Sequence, residues 1–150
     1  MPMKLQSKGG ISFELEVAGY EFATIKKDYW DSNWLLVQVR IEHPLGAWSF
    51  VDPCLTTFDV ERLAGWFEAT ARGEANPEAE EGFVEPTLEF SYVPAPLAAI
   101  QVRFVHESGP PWFTEQDQGD ELTLSFPAAE NDLQSCARAL REILVRYPKR

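Results

Sequence analysis

"DPCLTTFDVERLAGWFEATARGE", Asp52–Glu74, is where the hydrophobic period of the chain changes. Upstream, apolar residues recur at every second position. Here Val60, Leu63, Ala64, Phe67 and Ala71 recur at helical spacing, and Trp66 widens the stripe. Thr56 or Thr57 can cap the start, Asp59 and Glu61 suit the positive end of the helix dipole, and Gly73 can end the helix after Arg72. The pattern predicts a helix over about 58–72.

The preceding chain reads as strands. Ile11–Val17 (ISFELEV) alternates Ile11, Phe13, Leu15 and Val17 with polar residues. Ala18–Gly19 is the expected tight turn, with Tyr20–Ile25 returning antiparallel. "DYWDSNW", Asp28–Trp34, is rich in turn formers and reads as a loop. Leu35–Glu42 (LLVQVRIE) is a strand with Leu35, Val37, Val39 and Ile41 on one face. His43–Gly46 then turns the chain into a partner strand, Ala47–Val51.

Downstream, "EANPEAEEG", Glu74–Gly82, opens an acidic linker over about 74–86 between two similar halves that share no residue-level repeat. Thr87–Val93, Ala99–His106 and Glu121–Phe126 alternate again, with Leu88, Phe90, Tyr92, Ile100, Val102, Phe104, Leu122, Leu124 and Phe126 inward. Pro94 and Pro96 force a turn between the first two of these strands. Asn131 is the expected opening of a last helix, with Gln134 as its capping-box partner. Leu133, Cys136, Ala137, Leu140, Ile143, Leu144 and Tyr147 form its apolar stripe, and Pro148 stops it. The order strands–helix–strands–helix with hairpin-like joins predicts an α+β fold of antiparallel sheet covered by two helices, in one domain over 1–150.

Composition narrows the function. A hydrophobic fraction of 45% fits a chain with a packed core. No apolar run approaches the roughly 20 residues needed to cross a bilayer, and the N-terminus lacks the apolar stretch of a signal peptide, so a cytoplasmic location is expected. Cys54 and Cys136 stand far apart among apolar neighbours, the pattern of reduced, buried thiols. The formal net charge is −11. It is uneven: from Glu74 to Glu121 eleven acidic residues face one basic residue, Arg103. Such a segment repels phosphates and anionic lipid, so neither nucleic acid nor a membrane is expected as a partner; it suits either a basic protein partner or a solvated face that serves solubility alone.

Catalytic chemistry finds little support. The two histidines, His43 and His106, lie in no metal-like spacing, and no metal or cofactor is expected. No nucleophile elbow, phosphate loop or dinucleotide fingerprint is present. Asp28 and Asp31 could pair as acid and base, but Asp in such a segment more often accepts backbone hydrogen bonds while Tyr29, Trp30 and Trp34 pack. Trp48 and Trp66 have core-like periodicity. Trp30 and Trp112 lie among carboxylates and are either buried loop anchors or exposed contact residues. In "ESGPPWFTEQDQGDE", Glu107–Glu121, Pro110 and Pro111 rigidify a turn. Trp112 and Phe113 are expected to fold back on the domain, leaving the acids that follow to water or a partner.

Four stretches, "DYWDSNWLLVQV" (Asp28–Val39), "DPCLTTFDVERLAGWFE" (Asp52–Glu68), "EPTLEFSY" (Glu85–Tyr92) and "RFVHESGPPW" (Arg103–Trp112), resemble in order and spacing the WapI-type immunity proteins of bacteria. The resemblance runs from about Asp28 to Pro148. It implies a non-enzymatic cytoplasmic protein that binds and neutralises the nuclease domain of a large toxin, and it carries over no catalytic residue. Nucleases are usually basic, so the implied partner agrees with the charge. The expected partner-binding residues are Glu78, Glu80, Glu81, Glu115 and Asp117, with Trp112 and Phe113 as anchors. The alternative is a structural or regulatory interaction module without a toxin partner, binding some other protein or a second copy of itself as a homodimer.

Overall fold

The computed structural model describes residues 1–74, 87–105, 108–112 and 121–150, together with the backbone of 80–81. The described strands form two four-stranded antiparallel sheets. The first is β1 (Met3–Ser7), β2 (Ile11–Tyr20), β3 (Trp34–His43) and β4 (Gly46–Thr56), each paired with its neighbour in sequence. The second is β5 (Glu80–Glu81), β6 (Leu88–Val93), β7 (Ala99–Val105) and β8 (Glu121–Pro127), again in sequence order. Helix α1 (Thr57–Ala71) follows the first sheet and α2 (Leu133–Arg146) the second. This is the α+β order that the periodicity predicts.

Helix α1 lies within one residue of expectation, and both ends are built from side chains and backbone the sequence supplies. Thr56 Oγ1 accepts from Asp59 N (3.1 Å), and Asp59 Oδ2 accepts from Thr56 N (2.9 Å), a reciprocal capping box in which both residues are buried. At the other end Gly73 takes φ +73°. Its N–H donates to Thr70 O (3.0 Å) while Glu74 N donates to Ala69 O (2.9 Å), satisfying carbonyls that a helix end leaves open.

Three local expectations need correction. Ala18–Gly19 is not a turn and Tyr20–Ile25 is not a returning strand. Ala18 is the extra residue of a bulge, since the β2–β3 register steps from Val17↔Val37 to Gly19↔Leu36, and β2 runs on to Tyr20. Both edges of β2 are already taken, by β3 and by β1, a strand in which only Met3 and Leu5 signal the inward face. Asn131 does not cap α2. Asp132 does, with Oδ1 accepting from Ser135 N (3.1 Å), while Asn131 ties β1 to the end of β8: its side chain accepts from Gln6 N (2.7 Å) and donates to Gln6 O (2.9 Å) and Pro127 O (2.8 Å). Finally, the acidic segment is not linker throughout, because Glu80 and Glu81 pair with Ser91 and Phe90 on β6.

The core lies where α1, β2, β4 and the second sheet meet. The Phe13 ring on β2 stands 5.8 Å from Phe90 and 6.0 Å from Phe104, Phe67 of α1 is 6.0 Å from Phe90, and Trp48 of β4 is 5.6 Å from Phe104. The first sheet contributes Leu5, Leu15, Leu35, Val37 and Val39, all fully buried, so one apolar cluster spans both sheets. Helix α2 packs on α1 and on β1, burying Leu133, Cys136, Ala137, Leu140 and Ile143. Across the two helices Arg141 donates twice to Glu68 Oε1, at 2.8 and 2.6 Å. The opposite face of the first sheet is polar, with Lys4 3.5 Å from Glu14 and Glu14 opposite Arg40. Cys54 and Cys136 are both buried, as expected.

Candidate functional site

Of the expected partner-binding residues, Glu78, Phe113, Glu115 and Asp117 lie outside the described residues, as does His106. Glu80 and Glu81 are placed by their backbone on the edge strand β5. Trp112 is placed in full.

Trp112 does fold back. Its indole meets that of Trp48 edge-on, with ring centroids 5.5 Å apart and planes at 86°. It also covers Gly46, the first residue of β4, whose φ of +148° suits a residue without a side chain. Trp112 nevertheless stays 43% exposed, so it is both an anchor and a surface. Beside Gly46 in the hairpin, Leu45 is exposed as well. His43 Nδ1 accepts from Leu45 N (3.1 Å), which fixes the turn that presents Leu45.

The segment leading to Trp112 is pinned by Ser108, a residue the sequence did not single out. Ser108 is buried; its hydroxyl accepts from Val105 N (2.9 Å) and lies 2.5 Å from Thr87 O, and its carbonyl accepts from Trp48 Nε1 (3.1 Å). Trp48 thus holds the loop twice, through its N–H and through its ring. Its hydroxyl meets both main-chain groups from a buried position, and nothing in the sequence distinguishes Ser108 from a solvent-exposed loop serine.

The described acids of the 74–121 segment are engaged locally. Arg103, its one basic residue, lies between Glu89 on β6 and Glu121 on β8, paired with the first and 3.7 Å from the second. Glu74 is 3.0 Å from Arg72.

At the far end of β3, the DYWDSNW loop behaves as a turn. Asp28 Oδ1 accepts from Trp30 N (3.0 Å) and Asp31 N (2.8 Å), and Ser32 Oγ accepts from Asp28 N (2.7 Å). Asp28 is therefore a structural carboxylate. Tyr29 stacks on Phe58 at 4.8 Å and meets Trp30 edge-on at 4.9 Å, and the two are 63% and 47% exposed. Burial pushes the Glu21 carboxyl above its ordinary range, and the nearby Asp31 and Asp52 add to the effect.

A groove of about 300 Å³ between α1 and α2 is lined by Glu68, Arg72, Gln134, Ala137, Arg138 and Arg141. It is guanidinium-rich and does not bring carboxylates together. Among the described residues no group of three or more His, Cys, Asp or Glu is placed to hold a metal ion, and no helix is long and apolar enough to cross a membrane.

The model of the immunity protein WapI-like family matches residues 4–148, nearly the whole chain. The chain belongs to the WapI-like immunity protein family. The match begins in β1 and ends past α2, so both sheets and both helices of the described fold belong to the family unit. It extends the four-stretch resemblance upstream over β1 and β2. No curated protein and no solved structure matches the chain.

Proposed function

We propose that this member of the WapI-like immunity family is a non-enzymatic, cytoplasmic inhibitor that binds a basic nuclease toxin domain through an acidic surface. The observation that carries this reading is the family match over residues 4–148, combined with a segment, Glu74–Glu121, that holds eleven acidic residues and one basic residue. Arg103 supports it further. Its pairing with Glu89 and Glu121 cancels the one positive charge of the segment, so the remaining carboxylates act as a field of one sign. A field of that kind steers a basic partner and would compete with nucleic-acid phosphates for the same cationic surface. Trp112, half-exposed on a rigid support, has the chemistry of an anchor residue at the rim of such a surface. Glu78, Glu80, Glu81, Glu115, Asp117 and Phe113 complete the proposed contact.

The test is capture of the partner by the tagged protein from its own cells, with washes at rising salt. A basic nuclease domain should be retained at low salt and released as salt rises. Changing Glu78, Glu80, Glu81 and Asp117 to Lys should abolish retention, and Trp112→Ala should weaken it by tenfold or more. An unchanged affinity and salt dependence in the charge-reversed protein would remove the acidic surface from the explanation. Recovery of the protein with copies of itself alone would favour a homodimeric interaction module.

A further inference from the structure

Asn33, at the opposite end of β3 from Trp112, is fully buried and uses its amide in an unusual way. Two bonds fix it to the scaffold: Oδ1 accepts from Thr57 Oγ1 (2.7 Å) and Nδ2 donates to Tyr29 O (2.9 Å). The other two grip the main chain of one residue, since Oδ1 accepts from Arg150 N (3.1 Å) and Nδ2 donates to Arg150 O (3.1 Å). A side chain that holds both the N–H and the C=O of one residue replaces the ladder bonds of a strand, and it does so for any side chain at that position.

The side-chain slots around this clamp are selective. The Arg150 guanidinium lies 4.1 Å from the centroid of the Tyr20 ring and donates to Ala23 O (2.9 Å). Lys149 lies over the Phe58 ring at 5.5 Å and pairs with Glu61, whose carboxyl it holds below the usual range. Tyr20 Oη donates to Pro148 O (2.6 Å), which sets the direction of the segment. Exposed Tyr29, Trp30 and Phe22 belong to the same loop as Asn33. Main-chain clamp, aromatic face with carbonyl acceptor, and aromatic face with carboxylate together read the sequence Lys-Arg.

We propose that this notch is a recognition site for a dibasic segment of another protein, and that Pro148–Arg150 occupies it as a tethered, displaceable stand-in. The net charge of −11 favours approach of such a segment. The proposal concerns a different end of the first sheet from Trp112 and does not depend on the acidic-surface reading.

The experiment uses the full chain with Lys149→Ala and Arg150→Ala, titrated with the synthetic peptide Tyr-Pro-Lys-Arg by calorimetry and by Trp30 fluorescence. A segment tethered in the same chain is presented at an effective concentration on the order of millimolar. The altered chain, whose own residues at 149 and 150 compete poorly, should therefore bind the peptide at least tenfold more tightly than the unaltered chain. The peptide Tyr-Pro-Ala-Ala should not bind. A folded variant that binds neither peptide, or both alike, overturns the proposal. In the unaltered chain, millimolar Tyr-Pro-Lys-Arg should release the Arg150 amide toward its disordered resonance position; failure to do so overturns the proposal even if the double variant does not fold. A dimer of the unaltered chain that the double substitution converts to monomer would assign the notch to a second copy, and the proposal would fall.

Discussion

The indole of Trp112 sits so close over Gly46 that a Cβ placed there would lie 3.0 Å from Cη2 and 3.1 Å from Cζ3. The contact joins the hairpin of the first sheet to the segment after β7, and together with the Trp48 ring it seats an exposed tryptophan against the first sheet.

Gly46→Ala should therefore cost about 1–3 kcal/mol, from the positive φ and from displacement of the ring. The Trp112 and Trp48 fluorescence should change along with the melting temperature. Gly19→Ala is the control: nothing lies within 4 Å of its Cβ position and its φ is not positive. It should be neutral or stabilise by about 0.4–1 kcal/mol through the unfolded chain. Equal losses at both positions would show that the Trp112 contact contributes nothing to the cost at Gly46.

Asn131 and Asp132 are neighbours with separable duties, which two substitutions can resolve. Asn131→Ala removes three hydrogen bonds between β1 and the end of β8, and should cost about 1–3 kcal/mol while leaving helix content intact. Asp132→Ala should instead speed amide exchange in the first turn of α2, beginning at Ser135. Its pH dependence has a fixed sign. The Ser135 hydroxyl, then the Ser135 N–H, holds the Asp132 carboxyl below its ordinary range. Its contribution is present above the unfolded carboxylate pKa and is lost as pH falls through the folded one. Acidification should fray α2 in the unaltered chain and change little in Asp132→Ala.

That division of labour also marks where sequence patterns stop being informative. Alternation in β2, β3, β6, β7 and β8 and the helical stripes of α1 and α2 are local signals, and each of these elements is present. The bulge at Ala18 is not local, because an extra residue shows only against the register of β3. Strand β1 carries two inward apolar residues, too few to establish a period before β2 is known to need a partner. Asn131 looks like a cap because Asn caps helices; its true partner, Gln6, is 125 positions away. The site follows the same rule. Trp112 was legible as an aromatic among prolines, whereas Ser108 and Asn33 acquire meaning only from Trp48 and from Arg150, which lies 117 residues beyond Asn33.

Cys136 should be inert in the folded chain. Burial pushes its thiol up to about 11, and the S–H donates to Lys4 O at 3.3 Å. The thiolate, the reactive form, is therefore scarce near neutral pH. A thiol reagent at pH 8 should leave both cysteines unmodified until denaturant is added, since Cys54 is buried too. Rapid labelling of Cys136 in native buffer would mean that α2 opens from β1 far more often than its packing implies.

Glu21 tests the electrostatics at the other end of the first sheet. Burial, then the charges of Asp31 and Asp52, raises its carboxyl above the ordinary value. A raised folded pKa means that the folded chain holds the proton more tightly than the unfolded chain. The associated stability is fully present below the unfolded pKa and is lost as pH rises through the folded one. At neutral pH the Glu21 charge thus works against folding, and Glu21→Gln should stabilise the chain there, by no more than about 0.5 kcal/mol for a group still in contact with water. The gain should shrink on acidification, as Glu21 takes up its proton in the unaltered chain. Melting temperatures of the two proteins from pH 4 to pH 8 decide the matter. A loss of stability in Glu21→Gln that is greatest at pH 8 would reverse the sign and would mean that the charged carboxylate makes a favourable contact which outweighs its repulsion by Asp31 and Asp52.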